Sequence, residues 1–125
     1  TGGRVKVYEI NVGSHATPAD QAAIYALKRF TAVGTEASGF TPKPLDPADV
    51  ASTADCGVGV FSVEPTYTAN EELLAFPLNL RASYRWVAAP DSEIIIPATA
   101  NNGIGLRSIA STAVFAVDAS ILFEE

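Results

Sequence analysis

The sequence of residues 61–125 is FSVEPTYTANEELLAFPLNLRASYRWVAAPDSEIIIPATANNGIGLRSIASTAVFAVDASILFEE, in which short apolar runs alternate with turn residues. In the second half of the chain the apolar runs cover residues 58–63, 73–80, 83–88, 93–96, 105–109 and 113–123. The turn residues between them are Pro65-Thr66, residues 89–92, Pro97 and Asn101-Asn102-Gly103. Short strands about 8–12 residues apart, with turn signals between them, are typical of a β-sandwich or barrel. We therefore expect an all-β fold.

Two details predict where individual strands lie. Pro77 cannot donate a hydrogen bond to a ladder, so its strand should lie at a sheet edge or carry a bulge. The last run alternates, and one of its two faces is the more apolar. The residues that should face the core are Phe115, Val117, Ala119, Ile121 and Phe123.

The first half of the chain contains one clear strand and one ambiguous segment. Residues 4–11 alternate, which places Val5, Val7 and Glu9 on one face and Tyr8 and Ile10 on the other. Residues 17–31 begin with an N-cap, a proline and an acid, which favours a helix. Their aromatic and β-branched residues favour a strand. Local chemistry leaves both open, with the helix slightly preferred.

Length and composition limit the domain organisation and the classes of function that the chain can have. A chain of 125 residues that is 48% hydrophobic suits one folded domain. We expect that domain over residues 4–125, with a flexible start at residues 1–3 and a proline-rich loop at residues 39–56. The net charge of -6 argues against nucleic-acid binding, and no run approaches a membrane span. Because the sequence contains no Met, we expect the chain as given to be processed or trimmed.

The reactive side chains do not form a familiar catalytic pattern. Ser14, His15 and Asp20 are the types that a hydrolase triad uses, but adjacent residues of a strand point to opposite faces, and no Gly-x-Ser-x-Gly elbow is present. Glu71-Glu72 is better explained as exposed charge than as a glycosidase pair. Cys56 is the only cysteine, which excludes an intrachain disulfide, and it has no activating neighbour in the sequence. We expect no enzyme activity, no cofactor and no metal.

One cluster has the composition of an interaction site. Tyr84, Arg85 and Trp86 are residue types that concentrate at interface hot spots. On a strand, Tyr84 and Trp86 share one face and Arg85 lies on the other. Three interpretations of Trp86 stay open: a core residue, which we favour, an interface residue, or part of a carbohydrate platform. Pro42 and Pro44 stiffen the loop and are further interface candidates.

Three segments resemble a group of small structural proteins of tailed bacteriophages. They are residues 39–49, with Thr-Pro-x-Pro-Leu-Asp-Pro; residues 81–106, with Arg-x-x-x-Arg-Trp-x-Ala-x-Pro and Pro-Ala-Thr-Ala-Asn-Asn-Gly-Ile-Gly-Leu; and the closing residues 120–125. None of them is a catalytic signature.

The resemblance implies a single jelly-roll-like β-sandwich of about seven to eight antiparallel strands, in which residues 22–33 form a strand. It further implies a virion protein, assembled in the host cytoplasm, that decorates or cements a capsid. Its expected partners are the major capsid protein or another virion protein, and copies of itself in a homo-oligomer. The alternative is a carbohydrate- or receptor-binding module of a virion.

Overall fold

The chain is built from antiparallel β-strands in the computed structural model, which describes residues 3–57, 59–110 and 116–125. No helix occurs in these ranges. The strands are β1 (Val5–Ser14), β2 (Ala22–Ala32), β3 (Thr35–Glu36), β4 (Gly39–Phe40), β5 (Cys56–Gly57), β6 (Phe61–Val63), β7 (Thr66–Asn79), β8 (Tyr84–Val87), β9 (Ile94–Ile96), β10 (Gly103–Ala110) and β11 (Val117–Glu124).

Two sheets face each other across an apolar core. One has the order β11-β1-β8, with β9 alongside β1, and the other has the order β10-β2-β7. The core takes side chains from both central strands, from β7 and from the residue that follows β7, namely Val5, Val7, Ile10, Val12, Ala23, Tyr25, Leu27, Phe76 and Leu80. The all-β sandwich predicted from the sequence is therefore confirmed. Among the described residues, seven strands make up the two sheets; the jelly-roll connectivity stays a prediction.

A β-bulge in β1 changes which of its residues face the core. Val7 pairs with Phe123 and Glu9 pairs with Leu122, so Tyr8 is an extra residue on the β1 side. After the bulge the inward positions become Ile10 and Val12, which are fully buried like Val7. The predicted grouping of Ile10 with Tyr8, and of Glu9 with Val7, is wrong because strict alternation cannot anticipate an inserted residue.

The ambiguous segment is strand β2, as the resemblance implied, and the helix favoured by local chemistry is wrong. β2 is the central strand of its sheet and pairs with β7 on one side and β10 on the other. Ala23, Tyr25 and Leu27 point into the core at a spacing of two residues. Pairing along both edges outweighs the helix-start signal at residues 17–20.

β7 confirms the expectation for Pro77, because it lies at the edge of the three-stranded sheet. It is longer than predicted: it begins at Thr66, where the sequence suggested a turn, and includes the largely polar residues 66–72. The turn predicted at Asn101-Asn102-Gly103 is present but ends earlier: Asn101 takes the left-handed conformation (φ 65°), and Gly103 already opens β10.

β11 is oriented as predicted but is less covered than predicted. Its residues Ala119 and Ile121 lie opposite Val12 and Ile10 of β1, and directly opposed residues of an antiparallel pair point to the same side. Ile121 is nevertheless 39% exposed, whereas Ile10 is 1% exposed. The predicted start of this strand at residues 113–115, Val58 of an earlier run, and residues 1–2 of the predicted flexible start lie outside the described residues.

The outer face of the three-stranded sheet carries a second aromatic layer. Phe30 of β2 and Tyr67 of β7 meet edge to face, with ring centroids 6.3 Å apart. Both rings lie against glycines of β10: a Cβ added at Gly105 would be 2.5 Å from the Tyr67 hydroxyl oxygen, and one added at Gly103 would be 2.4 Å from the Phe30 ring. The guanidinium of Arg107 lies 5.1 Å from the centre of the Tyr67 ring. These contacts fix the register of β10 and β7 on β2.

Candidate functional site

Residues 33–65 leave the sandwich between β2 and β7 as an excursion that we call the arm. Its two sides pair as a ribbon, through β3 with β6 near the sandwich and β4 with β5 further out. The Ala37 amide donates to the Val60 carbonyl at 2.9 Å between these two pairings. The ends of the predicted loop at residues 39–56 are thus strands, which corrects that prediction, and only the part from residue 41 to residue 55 is irregular.

The tip of the arm is attached to the C-terminal residue. The backbone amide of Thr53 donates to Glu125 Oε2 at 3.0 Å, and the Thr53 hydroxyl donates to Glu125 Oε1 at 2.6 Å. These hydrogen bonds lower the pKa of the Glu125 carboxyl below its ordinary value of 4.5, and the bond from the Thr53 side chain has the largest effect. Ala54, next to Thr53, packs against the core. The tip is therefore held in place although most of its surface faces solvent.

The arm exposes an unusual amount of apolar surface. Among the described residues, twelve large apolar side chains are exposed, and seven of them lie in the arm. Leu45 is 82% exposed and Val50 is 91% exposed. The other five are Val33, Phe40, Phe61, Val60 and Val63. Single exposed apolar residues are ordinary on protein surfaces, whereas a concentration in one segment indicates a contact surface.

The arm is also acidic. Its carboxylates are Glu36, Asp46, Asp49, Asp55 and Glu64, and Lys43 is its only basic residue. The surface that the arm offers is thus apolar with negative charge around it. Such a surface is complementary to an apolar patch with basic residues at its rim.

The thiol of Cys56 in β5 is poorly suited to chemistry. Burial raises its pKa, and the nearby carboxylates of Asp55 and Glu36 raise it further. A thiol with a raised pKa remains protonated at neutral pH, and the thiolate is the form that attacks substrates and binds metals. Within the ranges that the structure describes, no three His, Cys, Asp or Glu side chains come together as metal ligands.

The predicted cluster on β8 is divided between the two faces of its sheet. Tyr84 and Trp86 pair with Val12 and Ile10 of β1 and pack against the core, half-buried. Arg85 lies on the outer face, where it donates to the two carboxylate oxygens of Glu9 at 2.8 and 3.2 Å. This bond, together with one from the Asn11 amide, lowers the pKa of Glu9.

The proline candidates lie elsewhere. Pro42 and Pro44 are half-buried in the tip of the arm. The arm and β8 are separate elements, and the sequence did not single out the side chains of the arm that are most exposed. The sequence signal for them was the presence of two large apolar residues, Leu45 and Val50, in a proline-rich segment that was expected to be a surface loop.

The three residues of the considered hydrolase triad are separated. The Ser14 hydroxyl donates to the Leu80 carbonyl, His15 contacts Asp118, and Asp20 accepts a hydrogen bond from Asn79 at 2.8 Å. A shallow depression of about 370 Å³ lies over Gly13 in the outer face of the four-stranded sheet. It is lined by residues that include Asn11, Ser83, Asp118 and Ser120. None of the hydrogen bonds found there connects a serine hydroxyl to His15.

Comparison with known proteins adds no relative: no family model, curated protein or solved structure matches this chain. In the part of the chain that the structure describes, no helix is long and apolar enough to cross a membrane.

Proposed function

We propose that this protein is a non-enzymatic structural component of a phage particle. It decorates or cements the capsid by contacts with the major capsid protein or another virion protein, and it is located in the virion after assembly in the host cytoplasm. The observation that supports this function best is the apolar, acidic arm carried by a sandwich whose reactive side chains are dispersed.

The energetics of the arm favour a partner. Covering a side chain such as Leu45 or Val50 stabilises a contact by about 1.5–3 kcal/mol. A two-stranded ribbon is only marginally stable alone in water, and the arm has one irregular end tied to Glu125. A surface that covers the apolar side chains would therefore stabilise both the contact and the arm itself.

The chemistry of the remaining surface supports a binding role over catalysis. The raised pKa of Cys56 removes the strongest nucleophile at neutral pH. Ser14, His15 and Asp20 each bond to a different partner. A general base has to lie within hydrogen-bond reach of the group that it activates, and these residues do not meet that condition.

The carbohydrate-binding alternative gains no support from the placement of its residues. The ring of Tyr84 stacks on Phe76 with centroids 3.9 Å apart, so one of its faces is already covered. Trp86 lies on the same inward side. A sugar platform needs exposed aromatic faces, and we therefore propose the assembly function alone.

Co-sedimentation with capsids of the virus that encodes this chain tests the proposal. We expect the wild-type protein to pellet with capsids, and a variant with Leu45→Ser and Val50→Ser to remain in the supernatant. The control is Val87→Ser, which removes a half-exposed apolar side chain from the outer face of the sandwich and should still pellet. Raising the salt concentration should weaken binding, because the arm is acidic. Wild-type protein that stays in the supernatant at low salt would overturn the proposal.

A further inference from the structure

We infer that β11 is a pairing edge that binds a second copy of this chain, antiparallel, about a two-fold axis at Ser120. The inference rests on the proposed assembly role and adds the partner and the register of one contact. The two four-stranded sheets would then become one continuous sheet through β11 of each copy.

The other edges of the sandwich carry features that oppose strand addition. β7 contains Pro77, the charged pair Glu71-Glu72, and Asn70 in the left-handed conformation (φ 59°). β8 and β9 are only four and three residues long. β10 contains two glycines, Arg107 and a register irregularity at residues 108–110. Prolines, charges, bulges and short length are the means by which proteins block pairing between edges.

β11 lacks these features over most of its length. Its eight residues, VDASILFE, include no proline, and none has a positive φ. Its two charged residues, Asp118 and Glu124, leave residues 119–123 between them uncharged. Within residues 3–57, 59–110 and 116–125, it pairs with β1 along one side only and forms the end of the sheet order. A regular strand with a free edge is a template for another strand.

The inward side chains of β11 are the part of the core that remains open to solvent. Val117 is 40% exposed and Ile121 is 39% exposed, and Ala119 between them is exposed too. The partners of Ile121 and Ala119 across the ladder, Ile10 and Val12, are buried. A strand added next to β11 would bring its own inward side chains beside these three and cover them.

A second copy fits this edge in one register. Because directly opposed residues share a face, an axis at Ser120 places Ala119 opposite Ile121 and Val117 opposite Phe123. On the outer face it places Asp118 opposite Leu122. An axis at Ile121 instead sets Asp118 against Glu124, and like charges directly opposite each other destabilise a pair. An axis at Ala119 overlaps only residues 117–121 of the two strands, five residues instead of the seven that an axis at Ser120 overlaps.

The two-fold axis is perpendicular to the joined sheet. The three-stranded sheets of the two copies therefore lie on the same face of that joined sheet. The two cores then continue into each other across β11 instead of being separated by an exposed face. Such a dimer is isologous, as expected for the commonest symmetry of homo-oligomers.

Cysteine substitutions test the register. In a Cys56→Ser background, Ser120→Cys should form a disulfide-linked dimer when it is treated with oxidised glutathione, because residue 120 faces its own copy. The matched control is Asp118→Cys, which lies on the same outer face and is exposed like residue 120. In the dimer, residue 118 of the second copy lies opposite residue 122 of the first, four residues or about 14 Å along the strand from residue 118. This separation is too large for a disulfide. Equal cross-linking of the two variants, or of neither, would overturn the register.

Sizing of purified protein tests the pairing itself. Wild type should elute as a dimer that dissociates on dilution, and Ala119→Lys should elute as a monomer because an inward-pointing charge blocks an edge. Ala75→Lys on β7 should remain dimeric. A wild-type monomer at every concentration would overturn the inference. Because this experiment contains no capsid, a monomeric wild type would not contradict the proposed function. The co-sedimentation experiment tests that function separately.

Discussion

Phe76 of β7 and Tyr84 of β8 stack nearly parallel, with ring centroids 3.9 Å apart and planes inclined by 12°. The two residues belong to different sheets, so this contact joins the halves of the sandwich. Phe76 also stacks with Tyr25 of β2 at 5.6 Å between centroids. A continuous row of three rings therefore runs from the central strand of one sheet to an edge strand of the other.

Replacing the middle ring should weaken the whole sandwich. We expect Phe76→Ala to lower the free energy of unfolding by about 3–5 kcal/mol, because it removes a buried side chain and leaves a cavity between two aromatic rings. Urea denaturation followed by circular dichroism measures this. Phe61→Ala, in the exposed arm, is the control and should change the free energy by under about 1 kcal/mol. Equal effects of the two substitutions would contradict the assigned core.

The fit of Tyr67 over Gly105 gives a second prediction. We expect Gly105→Ala to lower the free energy of unfolding by about 1–3 kcal/mol, because the added methyl overlaps the Tyr67 ring. Adding Tyr67→Leu should recover part of the loss, since a smaller side chain leaves room for the methyl. Thermal denaturation of the single and double variants measures this coupling.

Gly13→Ala is the matched control for that experiment. It places a methyl in a central strand whose nearest neighbour is the Ser83 Cβ at 3.9 Å. We expect no loss of stability, and a gain of up to about 1 kcal/mol from a less flexible unfolded chain. The same loss at both glycines would mean that Tyr67 does not lie against β10.

The Glu9–Arg85 pair predicts a pH dependence. The hydrogen bond from Arg85 lowers the pKa of Glu9 below 4.5 in the folded state. The contribution of this pair to stability is therefore complete above pH 4.5 and is lost as the pH falls through the lowered value. NMR titration of the Glu9 carboxyl carbon should give a pKa below 4.5, which Arg85→Gln should move upward. A titration unchanged by Arg85→Gln would contradict the pairing.

Much of the sandwich was predictable because strands in a folded core leave a two-residue pattern in the sequence. The inward side of β11 and the edge position of Pro77 follow from that pattern and from the missing N–H of proline. β2 was not predictable from local chemistry, since its two neighbours, β7 and β10, come from distant parts of the chain. The bulge at Tyr8 was hidden for a related reason: it depends on the pairing of β1 with β11.

The candidate site was harder to predict than the fold. Tyr84 and Trp86 have the composition of a hot spot, yet their side of β8 is turned inward by the pairing with Ile10 and Val12. Leu45 and Val50 have no periodic pattern, because they lie outside any strand. They were chosen as candidates because of their exposure, which only the three-dimensional structure gives.

The attachment of Thr53 to Glu125 gives the last prediction. Removing the carboxylate by Glu125→Ala deletes both acceptors of Thr53, so the tip of the arm should open more often while the sandwich stays folded. Hydrogen exchange of the Thr53 backbone amide, followed by NMR at fixed pH, should become faster, and exchange of the Leu27 amide in β2 should not change. Glu124→Ala is the control, because the neighbouring carboxylate makes no hydrogen bond to Thr53. If exchange at Thr53 is the same in both variants, the arm is held by packing at Ala54 and not by Glu125.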